Sequence, residues 1–118
     1  MQTIYKVCTA VEWAAAVEAG AYTGSEPDKR DGFIHFSTAA QAQATAEKHF
    51  ARQSELVLVA VDANALGDAL KWEPSRDGDL FPHLYADLPV STVTGVTHLP
   101  LGADGRHIFP DKLAVDYK

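Results

Sequence analysis

Two short stretches of the sequence carry most of the residues suited to chemistry. The longer one, WEPSRDGDLFPHLY at residues 72–85, combines aromatic, acidic, basic and imidazole side chains. Pro74, Gly78 and Pro82 interrupt it, which excludes one regular helix or a long central strand. The shorter stretch is GFIHF at residues 32–36. A mixed composition of this kind is typical of an ordered segment that presents functional side chains on a rigid scaffold.

The candidate catalytic groups are His35, His83 and Glu73. In an extended strand every second residue shares a face, so His83 and Tyr85 point the same way. We expect residues 72–85 to lie beside the strand of His35, with both imidazoles on one side of the molecule. A carboxylate such as Glu73 takes part in acid–base chemistry only if the fold desolvates it. For each histidine taken alone, a structural, hydrogen-bonded role is the favoured interpretation, and only their combination with the neighbouring polar and aromatic residues points to a site.

The candidate ligand-binding residues are polar or aromatic neighbours of these groups. They are Ser37, Trp72, Ser75, Arg76, Asp79 and Tyr85. Arg76 fits a solvated loop position and equally a fork for a phosphate or carboxylate. Trp72 is more typical of a core anchor than of a stacking platform. Asp79 is a second acid–base candidate on the same condition as Glu73.

Other chemistries are disfavoured by residue spacing. His35, His83 and Asp79 are suitable metal ligands, but they lack the short, rigid spacing of zinc motifs, and we predict no metal site. Cys8 is the single cysteine, which excludes an intrachain disulfide, and its position at a strand end is typical of a small apolar residue. Glycine patterns of nucleotide-binding loops are absent from the sequence. We therefore expect that no cofactor is required.

Composition narrows the class of partner. The chain has 118 residues, 47% apolar content and a formal charge of -6. This length supports a core without disulfides or metal. The negative charge argues against nucleic acid and against an anionic membrane surface as partners. The sequence contains no window that resembles a membrane span and begins without a basic segment before a long apolar one, so we expect a cytoplasmic protein. It gives no indication of the oligomeric state.

The polar groups must be positioned by strands and two helices. The predicted strands are Thr3–Cys8, Gly32–Phe36, Glu55–Asp62, Leu70–Trp72, His83–Tyr85 and Ser91–Leu99, the last with a bulge near Gly95. The predicted helices run from Thr9 to Ala19 and over residues 38–51, and each begins with a Thr-x-x-Glu or Thr-x-x-Gln capping box. Residues 21–32 are predicted as a long loop, and an extended arm is predicted from about residue 100.

These elements predict an α+β fold in one domain spanning residues 1–118. Because helices occupy the first half and the second half is nearly all β, the sheet should be mixed or antiparallel rather than built from alternating βαβ units. We expect about five or six strands in a bent or split sheet, with both helices packed on it.

Long strings in the sequence resemble a small bacterial family catalogued as a domain of unknown function. They are AYTGSEPDKRDGFIHFST at residues 21–38, LVLVAVD at 56–62 and WEPSRDGDLFPHLYADLPV at 72–90. That family remotely resembles the ADP-ribosyltransferase fold, a split β-sheet around a dinucleotide groove. The resemblance implies that His35 and Ser37 lie in the groove, like the His-x-Ser/Thr element that holds ribose and nicotinamide. It also implies that Tyr85 stacks on nicotinamide.

The sequence lacks one catalytic residue that proteins of that fold usually have. The ADP-ribosyltransferases usually carry a catalytic Glu on a late strand, and here no Glu follows Tyr85. Two functions therefore stay open. The first is a divergent enzyme acting on a nucleotide or an ADP-ribose/NAD-type substrate. The second is a non-catalytic module that binds a nucleotide or another phosphorylated small molecule. A protein-interaction domain using the Phe81–Pro82 region is a third alternative.

Overall fold

The computed structural model describes residues 2–75 and 78–110. Its strands are β1 Thr3–Thr9, β2 Ala21–Tyr22, β3 Ile34–His35, β4 Leu56–Asp62, β5 Leu70–Pro74, β6 Leu80–Leu84, β7 Leu88–Pro89 and β8 Val93–Leu99. Its helices are α1 Ala10–Ala19, α2 Glu26–Asp31 and α3 Ala39–His49, and 3₁₀ turns cover Ala63–Ala69 and Val90–Thr92. None of the helices in the described ranges is long and apolar enough to cross a membrane.

The strands form three antiparallel sheets with the orders β1-β4-β8, β2-β7 and β3-β6-β5. A bridge between Tyr5 and Ser37 connects the first sheet to the third, with a hydrogen bond of 2.8 Å in each direction. The predicted α+β class with split antiparallel sheets is confirmed. The described residues contain three α-helices, however, one more than the sequence predicts.

Strand β4 lies at the centre of the molecule, as its apolar sequence predicts. It pairs with β1 on one side and β8 on the other, and both of its faces are covered. On one face of this sheet Tyr5 of β1 packs with Ala42 of α3, and on the other face Ile4 of β1 packs with Trp13 of α1. The predicted core position of Trp13 is confirmed. The first sheet is therefore the middle layer between α3 and the rest of the fold.

Both predicted helices begin at their predicted capping residues. At α1 the Glu12 N–H donates to the Thr9 hydroxyl and the Thr9 N–H donates to Glu12, each at 3.0 Å. At α3 the Thr38 N–H donates to Gln41 Oε1 at 3.0 Å. These bonds satisfy backbone donors that a helix N-terminus otherwise leaves without partners.

Residues 21–32 do not form the predicted loop. They contain β2 and the short helix α2. The Ser25 N–H donates to Asp28 Oδ2 at 2.9 Å and the Asp28 N–H donates to the Ser25 hydroxyl at 3.4 Å, so Asp28 takes the part that Glu plays in the common capping box. Pro27 lies in the first turn, and Gly32 ends the helix at a φ of 88°.

The described residues of the stretch 72–85 contribute most of a hairpin of β5 and β6. Strand β6 is central in its sheet although it contains Pro82. The Pro82 carbonyl accepts the Phe36 N–H at 2.9 Å. The N–H and carbonyl of a strand residue point to the same side, so the N–H that proline lacks would point to the chain just beyond β3 rather than to β5. The preference for Trp72 as a core anchor is wrong. Its side chain is 36% exposed because β5 is an edge strand that extends past the core.

The end of the described chain packs against the first sheet. The predicted bulge in β8 is present, since the register with β4 shifts between Ala60 and Val61, opposite Gly95. Residues 100–110 do not extend away as an arm. A bridge joins Leu101 to His107, and His107 Nε2 donates to the Gln53 carbonyl at 2.6 Å.

Candidate functional site

His35 and His83 lie directly opposite each other on β3 and β6, and Lys71 lies opposite His83 on β5. Directly opposed residues of antiparallel strands share one face of a sheet. The two imidazole centroids are 5.6 Å apart, so the expected proximity of His35 and residues 72–85 is confirmed. We call this side of the sheet the histidine face; it consists of Phe33, His35, Lys71, Glu73, His83 and Tyr85.

Phe33 lies at the centre of this face. Its ring stacks on His83 at a centroid distance of 4.0 Å and an interplanar angle of 22°. It contacts His35 at 4.6 Å and Tyr85 at 5.2 Å in tilted arrangements. Tyr85 is 45% exposed. The face therefore offers aromatic surface to solvent next to two imidazole rings.

A buried ionic network holds His35 from beneath. Asp28 of α2 is 2% exposed and Lys6 of β1 is 6% exposed. Lys6 Nζ lies 2.8 Å from Asp28 Oδ2, and the other Asp28 oxygen accepts from His35 Nδ1 at 2.6 Å and from the His35 N–H at 3.2 Å. Buried charges are tolerated only when paired and hydrogen-bonded. Asp28 thus ties three elements together.

The environment of Asp28 keeps it ionised. Burial by itself raises the pKa of Asp28, but the hydrogen bond from His35 and the charge of Lys6 outweigh burial and hold that pKa well below its usual range. On the other edge of the His35 ring, Nε2 lies 3.0 Å from Asp31 Oδ2. Only the imidazolium form donates from both nitrogens. Both ring nitrogens of His35 therefore face carboxylate oxygens, which leaves neither nitrogen free to act as a base.

His83 has a different arrangement. Its Nδ1 donates to Glu73 Oε1 at 2.8 Å, and the same oxygen accepts the Tyr85 hydroxyl at 2.7 Å. The hydrogen bonds from Tyr85 and then from His83 lower the pKa of Glu73, and the bond to Glu73 raises the pKa of Tyr85. No described residue binds His83 Nε2. When the proton is on Nδ1, Nε2 carries a lone pair that accepts a hydrogen bond or a proton.

Of the other predicted ligand-binding residues, the structure places Ser37 and Trp72 away from this centre and Ser75 and Asp79 at the end of the hairpin. Ser37 is buried, and its hydroxyl is 2.9 Å from the Thr45 hydroxyl of α3. Trp72 lies on the opposite face of β5 from Glu73, because neighbouring residues alternate faces. Ser75 and Asp79 are exposed, and the Ser75 N–H donates to the Asp79 carbonyl at 2.9 Å in the hairpin turn. Arg76 lies outside the described residues.

Five residues of the site and its support are absent from the candidate residues predicted from the sequence: Lys6, Asp28, Asp31, Phe33 and Lys71. Lys6 carries a recognisable signal, because a single charged residue in the apolar strand TIYKVC needs a buried partner. Asp28 carries another, since it stands at the third helical position after Ser25. Nothing in the spacing of Lys71 distinguishes it from a solvated lysine.

Two further features bear on what the site holds. Among the described residues, no group of three or more His, Cys, Asp or Glu side chains is arranged to bind a metal ion. A separate open groove of about 530 Å³ runs between α1 and the segment from Ala21 to Lys29, and no residue of the histidine face lines it. Buried Tyr22 lines this groove; its hydroxyl has no hydrogen-bond partner among the described residues, and burial raises its pKa well above the usual range.

Comparison with known proteins identifies a family and a shared fold. The sequence model described as Protein of unknown function (DUF952) matches residues 7–96. No curated protein is significantly similar to the chain.

Solved structures of protein CC0527 from Caulobacter crescentus are similar to this chain. One crystal structure has 52% identity, covers 90% of this chain and 93% of that chain, and gives a TM-score of 0.87. The solution NMR structure has 53% identity, covers 90% of this chain and 91% of that chain, and gives a TM-score of 0.80. A crystal structure of a double mutant has 51% identity, the same coverage as the first crystal structure and a TM-score of 0.87.

Proposed function

The chain belongs to the DUF952 family of proteins of unknown function, and we propose that its histidine face binds a small molecule of nucleotide or ADP-ribose/NAD type. The observation that carries this proposal is the cluster of Phe33, His83 and Tyr85 around a free imidazole nitrogen. Aromatic side chains next to a few fixed polar groups are typical of sites that orient a planar ligand.

The parts of such a ligand match different residues of the face. A planar base or nicotinamide ring stacks on exposed Tyr85, whose hydroxyl is held by Glu73. A ribose hydroxyl donates to His83 Nε2. A phosphate pairs with Lys71, which lies in the same cross-strand row as both histidines. Binding at the histidine face needs no additional cofactor. The compartment that the sequence favours is the cytoplasm.

A divergent ADP-ribosyltransferase-like enzyme is the second candidate. The contact of His83 with Glu73 favours it, because a carboxylate on Nδ1 orients an imidazole so that Nε2 serves as a general base. The two carboxylate contacts of His35 favour the non-catalytic module instead, because they occupy both nitrogens of one of the two predicted catalytic histidines.

A thermal-shift screen of nucleotides, ADP-ribose, NAD and sugar phosphates tests the binding proposal. A ligand present at about 100 times its dissociation constant adds roughly 2.7 kcal/mol to the free energy of unfolding. We expect His83→Ala to weaken binding of the best ligand at least about tenfold. His98→Ala is the matched control, because His98 is an exposed histidine on β8, away from the histidine face. Equal affinities of both variants, or no stabilising ligand in the screen, would refute the proposal.

Incubation with NAD separates the two candidates. An enzyme releases nicotinamide in a reaction that His83→Ala and Glu73→Gln abolish. A binding module leaves NAD intact while still binding it. Release that persists in both variants would exclude these two residues as the catalytic pair.

A further inference from the structure

Strand β5 is an edge strand whose outer side no described residue pairs with. An unpaired edge is a template for pairing with another chain, and natural proteins usually block it with proline, charges or a covering element. Here Pro74 blocks one end of β5. Trp72, at its middle, carries no such protection and is 36% exposed.

The hydrogen bonds at the two ends of the hairpin show which backbone groups face outward. The Tyr85 N–H donates to the Ala69 carbonyl at 2.8 Å and the Ser75 N–H donates to the Asp79 carbonyl at 2.9 Å. Hydrogen bonding alternates along an antiparallel pair, so the odd-numbered residues of β5 face β6 and the even-numbered ones face outward. The Leu70 N–H already binds the Gly67 carbonyl, and Pro74 has no N–H. Trp72 is thus the residue of β5 with both an outward donor and an outward acceptor.

We propose that two copies of this chain associate through antiparallel pairing of β5 with β5, centred on Trp72. In this arrangement Trp72 of each copy exchanges two backbone hydrogen bonds with the partner's Trp72. Lys71 then lies directly opposite the partner's Glu73, and Glu73 lies opposite the partner's Lys71. Opposed residues share a face, so the two unlike-charge pairs form on the same side of the joined sheet.

The charge pattern selects this register over its neighbours. Centring the pairing on residue 71 would place Lys71 opposite the partner's Lys71. Centring it on residue 73 would place Glu73 opposite the partner's Glu73. Like charges directly opposite each other destabilise a strand pair, whereas unlike charges stabilise it. Of these three registers, only the one centred on Trp72 pairs unlike charges.

Apolar surface next to the edge fits the same occupant. On the face of β5 that carries Trp72, Leu80 is opposite Pro74 and is 52% exposed. An open groove of about 280 Å³ beside the edge is mainly polar and is lined by Leu70 and Trp72 together with Gln2, Ala63, Asn64 and Gly67. In the proposed register the partner's Pro74 lies opposite Leu70, at this groove. Association therefore covers the exposed indole and fills a depression that the single chain leaves open.

The proposed contact is short and closes on itself. Pro74 and the occupied Leu70 N–H stop the pairing from extending beyond the central residues. A two-fold axis that passes between the two paired Trp72 residues uses the same patch on both copies, so association generates a dimer rather than a fibre. With two backbone hydrogen bonds and a small interface, association should be weak and depend on concentration.

Sedimentation equilibrium over a concentration series tests the proposal by charge reversal. Lys71→Glu and Glu73→Lys each place like charges opposite each other, so each variant alone should dimerise at least tenfold more weakly than the unmodified chain. An equimolar mixture of the two variants restores unlike pairs at both positions and should dimerise as heterodimers. Because rescue depends on the charge of the partner, it cannot arise from a change in the histidine face of one chain.

Two more variants complete the experiment. Trp72→Ala should abolish association, and Lys48→Glu, a charge reversal on exposed α3, should leave it unchanged. Three results would overturn the proposal: a monomer at every concentration, single variants that dimerise as strongly as the unmodified chain, or a mixture that stays monomeric. Each of these results leaves the ligand proposal intact, because that proposal concerns one chain.

Discussion

The two histidines of this protein make the same contact with carboxylates in opposite surroundings, and the exposure of the rings runs the other way, at 36% for His35 and 6% for His83. His35 Nδ1 lies 2.6 Å from Asp28 and His83 Nδ1 lies 2.8 Å from Glu73. The Asp28 side chain is 2% exposed, whereas that of Glu73 is 36% exposed. Asp28 also neutralises the buried ammonium of Lys6, whereas no described residue forms a salt bridge with Glu73 other than His83.

Burial of the carboxylate therefore assigns the two pairs to different tasks. A buried carboxylate cannot release its partners without leaving an uncompensated charge, so the contact of Asp28 with His35 supports the fold. An exposed carboxylate exchanges partners with water or ligand at little cost, so the contact of Glu73 with His83 suits a working site. The same residue types at similar distances serve folding in one place and chemistry in the other.

Asp28→Asn should produce the largest effect, because it leaves Lys6 charged and buried without a counterion. We expect a loss of about 3–5 kcal/mol in the free energy of unfolding, measured by chemical denaturation. Asp31→Asn is the control, since Asp31 contacts the same imidazole from an exposed position and should change stability little. Adding Lys6→Met to Asp28→Asn should recover part of the loss. Equal stability of the two single variants would show that Asp28 is not the structural centre of the network.

Acid should weaken the fold through Asp28. Its pKa lies well below the value of about 3.9 for an unfolded chain. As the pH falls below about 4, the unfolded chain takes up a proton that the folded chain does not, so the free energy of unfolding decreases. In high salt, which screens exposed Asp31 and Glu73, the decrease should persist in the unmodified chain and be smaller in Asp28→Asn. Parallel acid profiles for the two proteins would contradict the assignment.

Glu73→Gln should have the smallest effect on stability and a clear effect on binding. Its carboxylate is partly exposed, so denaturation curves should nearly coincide with those of the unmodified chain. Loss of the negative charge weakens the hydrogen bonds that hold the His83 ring and the Tyr85 hydroxyl, so affinity for the ligand found in the screen should fall about tenfold or more. A destabilisation comparable to that of Asp28→Asn, with unchanged affinity, would remove the distinction between the two pairs.

The sequence predicts the parts of this fold whose signals are local. Thr9 with Glu12 and Thr38 with Gln41 mark the starts of α1 and α3, and the apolar run of β4 predicts its central place. The same capping pattern also predicts the start of α2. Its Ser25-x-x-Asp28 box differs from the common form only by the shorter acid.

The remaining features depend on contacts between distant parts of the chain. Lys6 and Asp28 are 22 positions apart, and only the packing of α2 on β1 makes them partners. Ser37 fits the ligand site by its spacing from His35, but the approach of α3 brings Thr45 to its hydroxyl instead. Trp72 is of a residue type that is common in cores, yet the position of β5 at a sheet edge leaves its side chain exposed. Local pattern does not encode which side of a strand another element will cover.

Amide NMR spectra of labelled protein titrated with ADP-ribose and with NAD test the central claim most directly. We expect saturable chemical-shift changes centred on Phe33, His83 and Tyr85, with the amides around His98 on β8 unchanged. Glu73→Gln should shift the titration to higher ligand concentration while the rest of the spectrum keeps its dispersion. Saturable changes centred instead on the groove beside Tyr22, or no saturable change with either ligand, would contradict the account.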